Sequence, residues 1–208
     1  MLQDRVMDTV FSAESIFYLT GGTCLSRFYH EKRYSDDLDF FTHQHNDFSR
    51  VLREIKLLLS DKFIVVEEVT SKDFVRLKVD DFLQVDFVND RVMRFEELIY
   101  LDNGYVIDNC KNILANKLTA VMGRDNAKDI FDIFLIDYFN DFDFLEILEV
   151  AHEKAGFKND DLIIRLKTFP QSLLKNISLV DKLFLNEFEN RYEMIIKKIE
   201  KIGSELYY

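Results

Sequence analysis

The sequence has 208 residues, of which 48% are hydrophobic, and its formal net charge is −11. This hydrophobic content is typical of folded proteins and argues against an intrinsically disordered chain. Such an acidic chain is not typical of proteins that bind nucleic acid non-specifically, because they need many Lys and Arg side chains to neutralise phosphates. We find no apolar run of about 20 residues and no secretory signal, so we expect a cytoplasmic protein without a membrane partner.

The first half of the chain alternates between predicted helices and short strands. In chain order, we expect helix 2–15, strand 15–20, helix 23–32, strand 36–42 and helix 46–61. Thr23 is the predicted N-cap of the second helix. From residue 62 the hydrophobic period changes to two, which predicts consecutive strands over 62–70, 74–80 and 82–89.

The second half of the chain has helical periodicity. We expect helices over 112–124, 126–139, 143–155, 159–169 and 178–203, and Pro170 separates the last two. The predicted fold class is therefore α+β, with a small mixed sheet flanked by helices and followed by an all-helical C-terminal part. We predict a first domain over 1–108 and a second over 109–208, without a flexible linker between them.

Three aspartates interrupt the apolar strand DDLDFFT. Because alternate side chains of a strand share a face, Asp37 and Asp39 should point one way while Leu38 and Phe40 point into the core. Two carboxylates on one face repel each other unless a cation lies between them. We therefore predict that Asp37 and Asp39 bind a divalent cation such as Mg²⁺ or Mn²⁺ through hard oxygen ligands. The pattern assigns no role to Asp36.

A glycine pair stands where the first strand turns into a helix, in the sequence LTGGT. Backbone N–H groups at a helix N-terminus bind anions such as phosphate. Gly21 and Gly22 would allow a ligand to approach the backbone closely, and Thr23 adds a hydroxyl group. We predict a phosphate-binding turn at these three residues.

Further charged residues stand in apolar surroundings. Asp86 is an isolated acid in the strand FLQVDFV, and it would complete a three-carboxylate metal site if that strand lies beside 36–42. Lys117 lies in an apolar helix and could hold a triphosphate as a point charge. Asp129, on the next helix, could orient Lys117 or a substrate group.

Each of these features also has a purely structural explanation. A Gly-Gly pair is most often a turn, and an Asp-x-Asp pattern is common on solvated surfaces. Asp86 could face water from an edge strand, and Lys117 could extend from its helix to solvent. The order of the features is harder to explain by chance: strand, Gly-Gly, helix, Asp-x-Asp strand, acidic strand and Lys-bearing helix.

Two separated motifs resemble those of the abortive-infection nucleotidyltransferase toxins, the AbiEii/AbiGii family of the nucleotidyltransferase superfamily. In that family a GG[ST] turn is followed by R-x-S-x-D-[LI]-D-F, and these positions are occupied here by Gly21, Gly22, Thr23, Arg33, Ser35, Asp37, Leu38, Asp39 and Phe40. The later family motif, K-L-x-A followed by R-x-x-x-K/R-D-x-x-D, matches KLTAVMGRDNAKDIFDI, with Lys117, Leu118, Ala120, Arg124, Lys128, Asp129 and Asp132. The resemblance covers about residues 15–137.

The resemblance implies a nucleotidyltransferase fold and an enzyme that transfers a nucleotide from an NTP. It implies that Asp37 and Asp39 bind metal, with Asp86 as a less certain third ligand. It places Gly21, Gly22, Thr23, Arg33, Ser35 and Lys117 around the nucleotide. The implied catalytic residues are Asp37, Asp39, Lys117 and Asp129.

The same resemblance implies the toxin of a toxin–antitoxin or phage-defence pair, with a cognate antitoxin as a possible partner. Its best understood relatives modify the acceptor end of tRNA, so the first hypothesis is an RNA acceptor, tRNA above all. A second hypothesis keeps the fold and changes the acceptor to a small molecule, as in aminoglycoside-modifying enzymes, or to a protein hydroxyl, and the acidic net charge favours it slightly. A third is a non-catalytic nucleotide-binding module, against which the intact Asp37, Asp39 and Lys117 argue.

Overall fold

A seven-stranded mixed sheet organises the first half of the chain in the computed structural model, which describes residues 1–13 and 15–205. The elements up to the last long strand are α1 (Leu2–Ser12), β1 (Tyr18–Thr20), α2 (Gly21–Phe28), β2 (Leu38–His43), α3 (Phe48–Ser60), β3 (Val65–Thr70), β4 (Phe74–Val79) and β5 (Leu83–Asp90). Two short strands follow, β6 (Ile99–Tyr100) and β7 (Val106–Ile107). The strand order is β3-β4-β5-β2-β1-β7-β6.

The remaining elements are helices. They are α4 (Cys110–Gly123), α5 (Ala127–Phe139), α6 (Phe144–Ala155), α7 (Asn159–Thr168), a 3₁₀ helix (Gln171–Asn176) and α8 (Phe184–Glu205). Asn126 and Asp143 cap α5 and α6 with their side chains, and Gly156 ends α6 in the left-handed conformation. Helix α5 is buried along most of its length, which explains its continuous apolar sequence.

One face of the sheet is the core of the first half. Phe40 of β2 and Phe87 of β5 stack with ring centroids 5.4 Å apart, and both rings are 0% exposed. Phe11 of α1 packs edge-on against Phe40 at 5.6 Å, and Phe17 packs against Phe87 and the Phe48 ring of α3. Because these aromatic side chains occupy one face, the alternate residues of β2 and β5 are directed to the other face.

The chain divides into two compact units, residues 1–24 with 35–109 and residues 25–34 with 110–208. The first unit contains the whole sheet. In the second unit, α4 packs against α5, α6 and α7, and α8 packs against α5, α6 and α7. The prediction of two domains that meet near residue 108 stays a prediction.

Most predicted elements are present, and four elements of the structure differ from the prediction in an informative way. Helix α2 begins at Gly21, so Thr23 lies in its first turn and the predicted N-cap role is wrong. The strands β6 and β7 were not predicted, because two residues are too few for a periodic pattern. The last helix begins at Phe184 instead of 178, since Leu179 forms a β-bridge with Arg33.

Candidate active site

Four polar residues form a row across the sheet, on the face opposite the aromatic core. In the strand registers, Thr20 of β1 lies beside Asp39 of β2, Asp39 lies beside Asp86 of β5, and Asp86 lies beside Arg76 of β4. The expectation that the strand of Asp86 neighbours β2 is therefore confirmed. At the β1 end, the hydroxyl of Thr20 donates a hydrogen bond of 2.6 Å to Asp108 Oδ2.

The alternation predicted for DDLDFF is confirmed. Leu38 and Phe40 are fully buried, while Asp37 and Asp39 are partly exposed. Strand β2 begins at Leu38, so Asp37 directly precedes the strand and Asp39 is its second residue. Two partly exposed carboxylates therefore lie at the start of one strand and form an acidic site on its accessible face.

The Asp39 carboxylate lies directly against the backbone of Gly21. Gly21 has φ +70°, and an added Cβ would overlap Asp39 Oδ2 and lie 3.2 Å from its Cγ. A glycine is required here for two independent reasons, the left-handed backbone and the close approach of the carboxylate. The hydroxyl of Thr23 donates a hydrogen bond to the carbonyl of Asp37, which ties the first turn of α2 to the acidic segment.

Arg76 is the residue of this site that the sequence did not reveal. Its Nε and Nη2 donate hydrogen bonds of 2.8 and 2.7 Å to the two oxygens of Asp86, and Gln84 Nε2 also donates to Oδ2 at 3.3 Å. The Asp86 carboxylate raises the pKa of Arg76 above its ordinary value, and the charge of Asp37 acts in the same direction. The hairpin of β4 and β5 could have indicated the pair, because a three-residue turn at 80–82 sets Arg76 opposite Asp86.

The acidic site fits a divalent cation with two protein ligands. Among the residues that the structure describes, no group of three or more His, Cys, Asp or Glu side chains is arranged to hold a metal ion. Mg²⁺ is commonly bound through one or two carboxylates, with water and substrate phosphates as the other ligands. Asp37 and Asp39 match that donor set, whereas both oxygens of Asp86 already accept hydrogen bonds from Arg76.

The prediction that Asp86 is a third metal ligand stays a prediction, and Asp86→Asn tests it: a residue that only orients its neighbours should lose about tenfold in activity when it is changed. The change leaves Arg76 without its bidentate partner but preserves the size of the side chain. The test compares the enzymatic activity of Asp86→Asn with that of Asp39→Asn at saturating Mg²⁺. Equal losses in the two variants would make Asp86 a third metal ligand.

A second cluster of charges lies within the helical unit. The Nζ atom of Lys117 is 2.8 Å from Asp129 Oδ1 and 2.8 Å from Asp132 Oδ2. Arg124 Nε lies 2.6 Å from Asp129 Oδ2, and Arg33 binds Asp132 with both Nε and Nη2 at 2.6 Å. Both aspartates are at most 1% exposed, so each carboxylate is shared between two cations in a dry environment.

Opposing effects set the ionisation of this cluster. Burial alone would raise the carboxyl pKa of Asp129 and Asp132, but the charge of Lys117 and the partner arginines lower both values below the ordinary range. Burial alone would lower the pKa of Lys117, but Asp132 and Asp129 raise it. All members of the cluster are therefore charged at neutral pH.

Acid should weaken the helical unit through these carboxylates. A folded-state pKa below the ordinary 3.8 means that the stabilising contribution is complete above about pH 4 and is lost as the pH falls through the folded value. Urea unfolding measured from neutral pH down to about pH 3 should show this loss, and Asp132→Asn should show a smaller dependence on pH. An identical pH dependence in the variant and the wild type would contradict the assignment.

The other predicted site residues lie in the following places. Gly22 is buried in the first turn of α2, and the carbonyl of Ser35 accepts a hydrogen bond of 2.8 Å from Gln3 Nε2. Lys117 contacts Asp129, the partner that the sequence suggested. The prediction that Lys117 and Asp129 serve the same site as the aspartates of β2 stays a prediction.

Comparison with known proteins identifies relatives along nearly the whole chain. The family model described as the nucleotidyl transferase AbiEii toxin of type IV toxin–antitoxin systems matches residues 5–204. An uncharacterised protein of Aquifex aeolicus strain VF5 is 30% identical over 156 residues, which are 73% of this chain and 71% of that protein.

Solved structures share the fold at low sequence identity. A candidate nucleotidyltransferase from H. pylori aligns with a TM-score of 0.57 and 21% identity, over 99% of this chain and 93% of that one. JHP933 from Helicobacter pylori aligns with a TM-score of 0.54 and 21% identity, over 99% of this chain and 90% of that one. MenT4, a nucleotidyltransferase toxin of Mycobacterium tuberculosis, aligns with a TM-score of 0.51 and 18% identity, over 85% of this chain and 65% of that one. The predicted fold class is confirmed.

Helices long and apolar enough to cross a membrane do not occur within 1–13 and 15–205.

The family model covers both motifs that carried the resemblance and extends through the helical C-terminal part. The chain therefore belongs to the AbiEii family of nucleotidyltransferase toxins of type IV toxin–antitoxin systems.

Proposed function

We propose that this nucleotidyltransferase transfers a nucleotide from an NTP to a hydroxyl group of an RNA acceptor, with tRNA as the expected acceptor. It would act in the cytoplasm as the toxin of a toxin–antitoxin or phage-defence system, with a cognate antitoxin as partner. Membership of a toxin family supports the toxin role, and MenT4, a structural neighbour, is described as a nucleotidyltransferase toxin.

The observation that carries the proposal is the acidic pair beside the glycine turn. Asp37 and Asp39 are accessible on one sheet face, and Asp39 lies against Gly21 at the start of α2. Asp37 and Asp39 would hold Mg²⁺ or Mn²⁺, which supplies neutralisation of phosphate charge when bound. The N–H groups at the α2 N-terminus would hold phosphate oxygens, with Thr23 and Ser35 near them.

Lys117 and Asp129 have complementary tasks in this proposal. An ammonium group has three N–H donors, and described residues use two of those of Lys117, at Asp129 and Asp132. The third would donate to a phosphate oxygen of the NTP. Asp129 would hold the ammonium charged and oriented, because a desolvated lysine without a carboxylate tends to lose its proton.

A different acceptor is the second candidate. The net charge of −11 favours a cationic small molecule or a protein hydroxyl over a polyanionic RNA, since acidic surfaces repel phosphates. The same acidic pair and glycine turn would serve either acceptor, because they act on the NTP.

Labelling separates the two candidates. The purified protein is incubated with each α-labelled NTP and Mg²⁺, in parallel with total RNA, with purified tRNA and with an RNase-treated lysate. Label in the tRNA band supports the RNA acceptor, and label only in small metabolites or protein supports the alternative. Asp39→Asn is the negative control, and labelling that persists in it would reject the assigned site.

A further inference from the structure

Arg33 is the largest of the fully buried side chains, with 2% of its surface exposed. Described residues accept three hydrogen bonds from its guanidinium group: Nε and Nη2 bind Asp132, and Nη1 donates a hydrogen bond of 3.0 Å to the carbonyl of Tyr34. A side chain that is 2% exposed and already bound to a carboxylate offers little surface to a phosphate group. Its place in the R-x-S-x-D-L-D motif therefore needs another explanation.

The backbone around Arg33 is fixed as firmly as its side chain. Arg33 forms an antiparallel β-bridge with Leu179. On either side, Tyr34 N donates to Ser178 O at 2.8 Å and Val180 N donates to Lys32 O at 2.9 Å. Because backbone and guanidinium are both held, Arg33 can impose a fixed position on its partner Asp132.

Asp132 links Arg33 to Lys117, because its carboxylate contacts both side chains. Its Oδ2 atom accepts from Arg33 Nη2 at 2.6 Å and lies 2.8 Å from Lys117 Nζ. Lys117 alone could not balance the two buried carboxylates Asp129 and Asp132, because each isolated buried charge is costly. Arg33 gives Asp132 a second cationic partner and Arg124 gives Asp129 one, so three cations face the two carboxylates.

We propose that Arg33 is a positioning residue for nucleotide binding: it fixes and neutralises Asp132, which in turn holds the Lys117 ammonium in place, and it does not touch the nucleotide itself. This inference rests on the proposed role of Lys117 in NTP binding. It assigns the motif arginine to the support of the lysine, a task that its sequence position beside the metal-binding aspartates does not suggest.

The charges predict how the loss of Arg33 would appear in a pH profile. Among the residues that the structure describes, the charged groups that face Asp132 are Lys117 and Arg33, and both lower its pKa against the effect of burial. Without Arg33, Asp132 takes up a proton at higher pH, and Lys117 then keeps only Asp129 as counter-charge. The pH below which NTP affinity falls should therefore be higher in a variant without Arg33 than in the wild type.

The test measures the affinity of the full chain for each of the four NTPs with Mg²⁺ by titration calorimetry, across pH, for Arg33→Gln and Arg33→Lys. We expect Arg33→Gln to weaken binding about 10- to 100-fold, as for other residues that orient a binding group from behind, and to raise the pH below which NTP affinity falls. Arg33→Lys should restore part of the affinity, because a lysine supplies the charge without the bidentate geometry. The same losses should follow in Lys117→Ala.

Arg191→Gln is the matched control. Arg191 also binds a buried aspartate of α5, Asp137, through Nε at 3.2 Å, and Asp137 keeps Lys198 as a second partner at 2.5 Å. The control removes an arginine–aspartate pair from the same helix and should leave NTP affinity and its pH profile unchanged. Wild-type affinity and pH profile in folded Arg33→Gln would overturn the proposal.

A double variant keeps the test decisive if Arg33→Gln fails to fold. Arg33→Met with Asp132→Leu replaces the buried ion pair by apolar groups, which is often neutral for stability. It should fold and still bind NTP about 10- to 100-fold more weakly, and unchanged affinity would overturn the proposal. If the wild type binds NTP but transfers no nucleotide in the labelling assay, the proposed function fails while the role of Arg33 in binding can still be measured.

Discussion

Asp37→Asn and Asp39→Asn should each reduce nucleotide transfer by about 10³-fold, because a catalytic metal contributes several kcal/mol and each 1.4 kcal/mol changes the rate tenfold. Growth inhibition on expression should disappear with the activity. Thermal stability should be unchanged or slightly higher, since each change removes one of two neighbouring, partly exposed negative charges. Initial rates with labelled NTP and melting curves measure the two effects.

Asp36→Asn is the matched control for these variants. Asp36 is exposed, precedes Asp37 directly and undergoes the same change of charge. It should retain transfer activity within a few-fold of the wild type. Toxicity or transfer that survives in both Asp37→Asn and Asp39→Asn would show that the acidic pair is not the catalytic site.

Gly21→Ala should reduce transfer by about 10²-fold, the loss that a displacement of roughly 1 Å of a reacting group can cause. The added methyl group would overlap Asp39 Oδ2, so the carboxylate must leave its place. The left-handed backbone, with φ +70°, costs a further 1–2 kcal/mol or so in stability for a residue with a Cβ.

Gly104→Ala separates the two effects of that substitution. Gly104 has φ +85°, but nothing lies within 4 Å of an added Cβ. Both variants should lose similar stability in urea unfolding, and only Gly21→Ala should lose transfer activity. Equal activity in the two variants would show that the contact between Gly21 and Asp39 is irrelevant to catalysis.

The hydrophobic pattern predicted the acidic strand well because alternation is a local property. Leu38 and Phe40 have to be buried, and this alone directs Asp37 and Asp39 to the other face. The pattern also predicted the long helices, whose apolar faces repeat over several turns. It failed at β6 and β7, where pairing with neighbours defines strands of only two residues.

The partners of the buried charges were harder to infer. Arg76 is an alternate residue of an ordinary strand, and only its pairing with β5 gives it a carboxylate partner. Arg33 stands two residues before Ser35 in a motif that suggested phosphate binding, yet the fold buries it against Asp132, 99 residues further along the chain. Sequence proximity to a site does not reveal which way a long side chain turns.

Local patterns were enough to predict the fold class, the alternation of the acidic strand and the glycine turn, because these depend on short-range periodicity and on the spacing of residue types along the chain. The family was inferred from the resemblance of two motifs and is shown by the family model. The tertiary structure alone decided that Arg76 pairs with Asp86 and that Arg33 and Arg124 share with Lys117 the carboxylates of α5. The physical reason is the cost of a buried charge: each such group has to find its counter-charge, and the fold determines which distant residue supplies it.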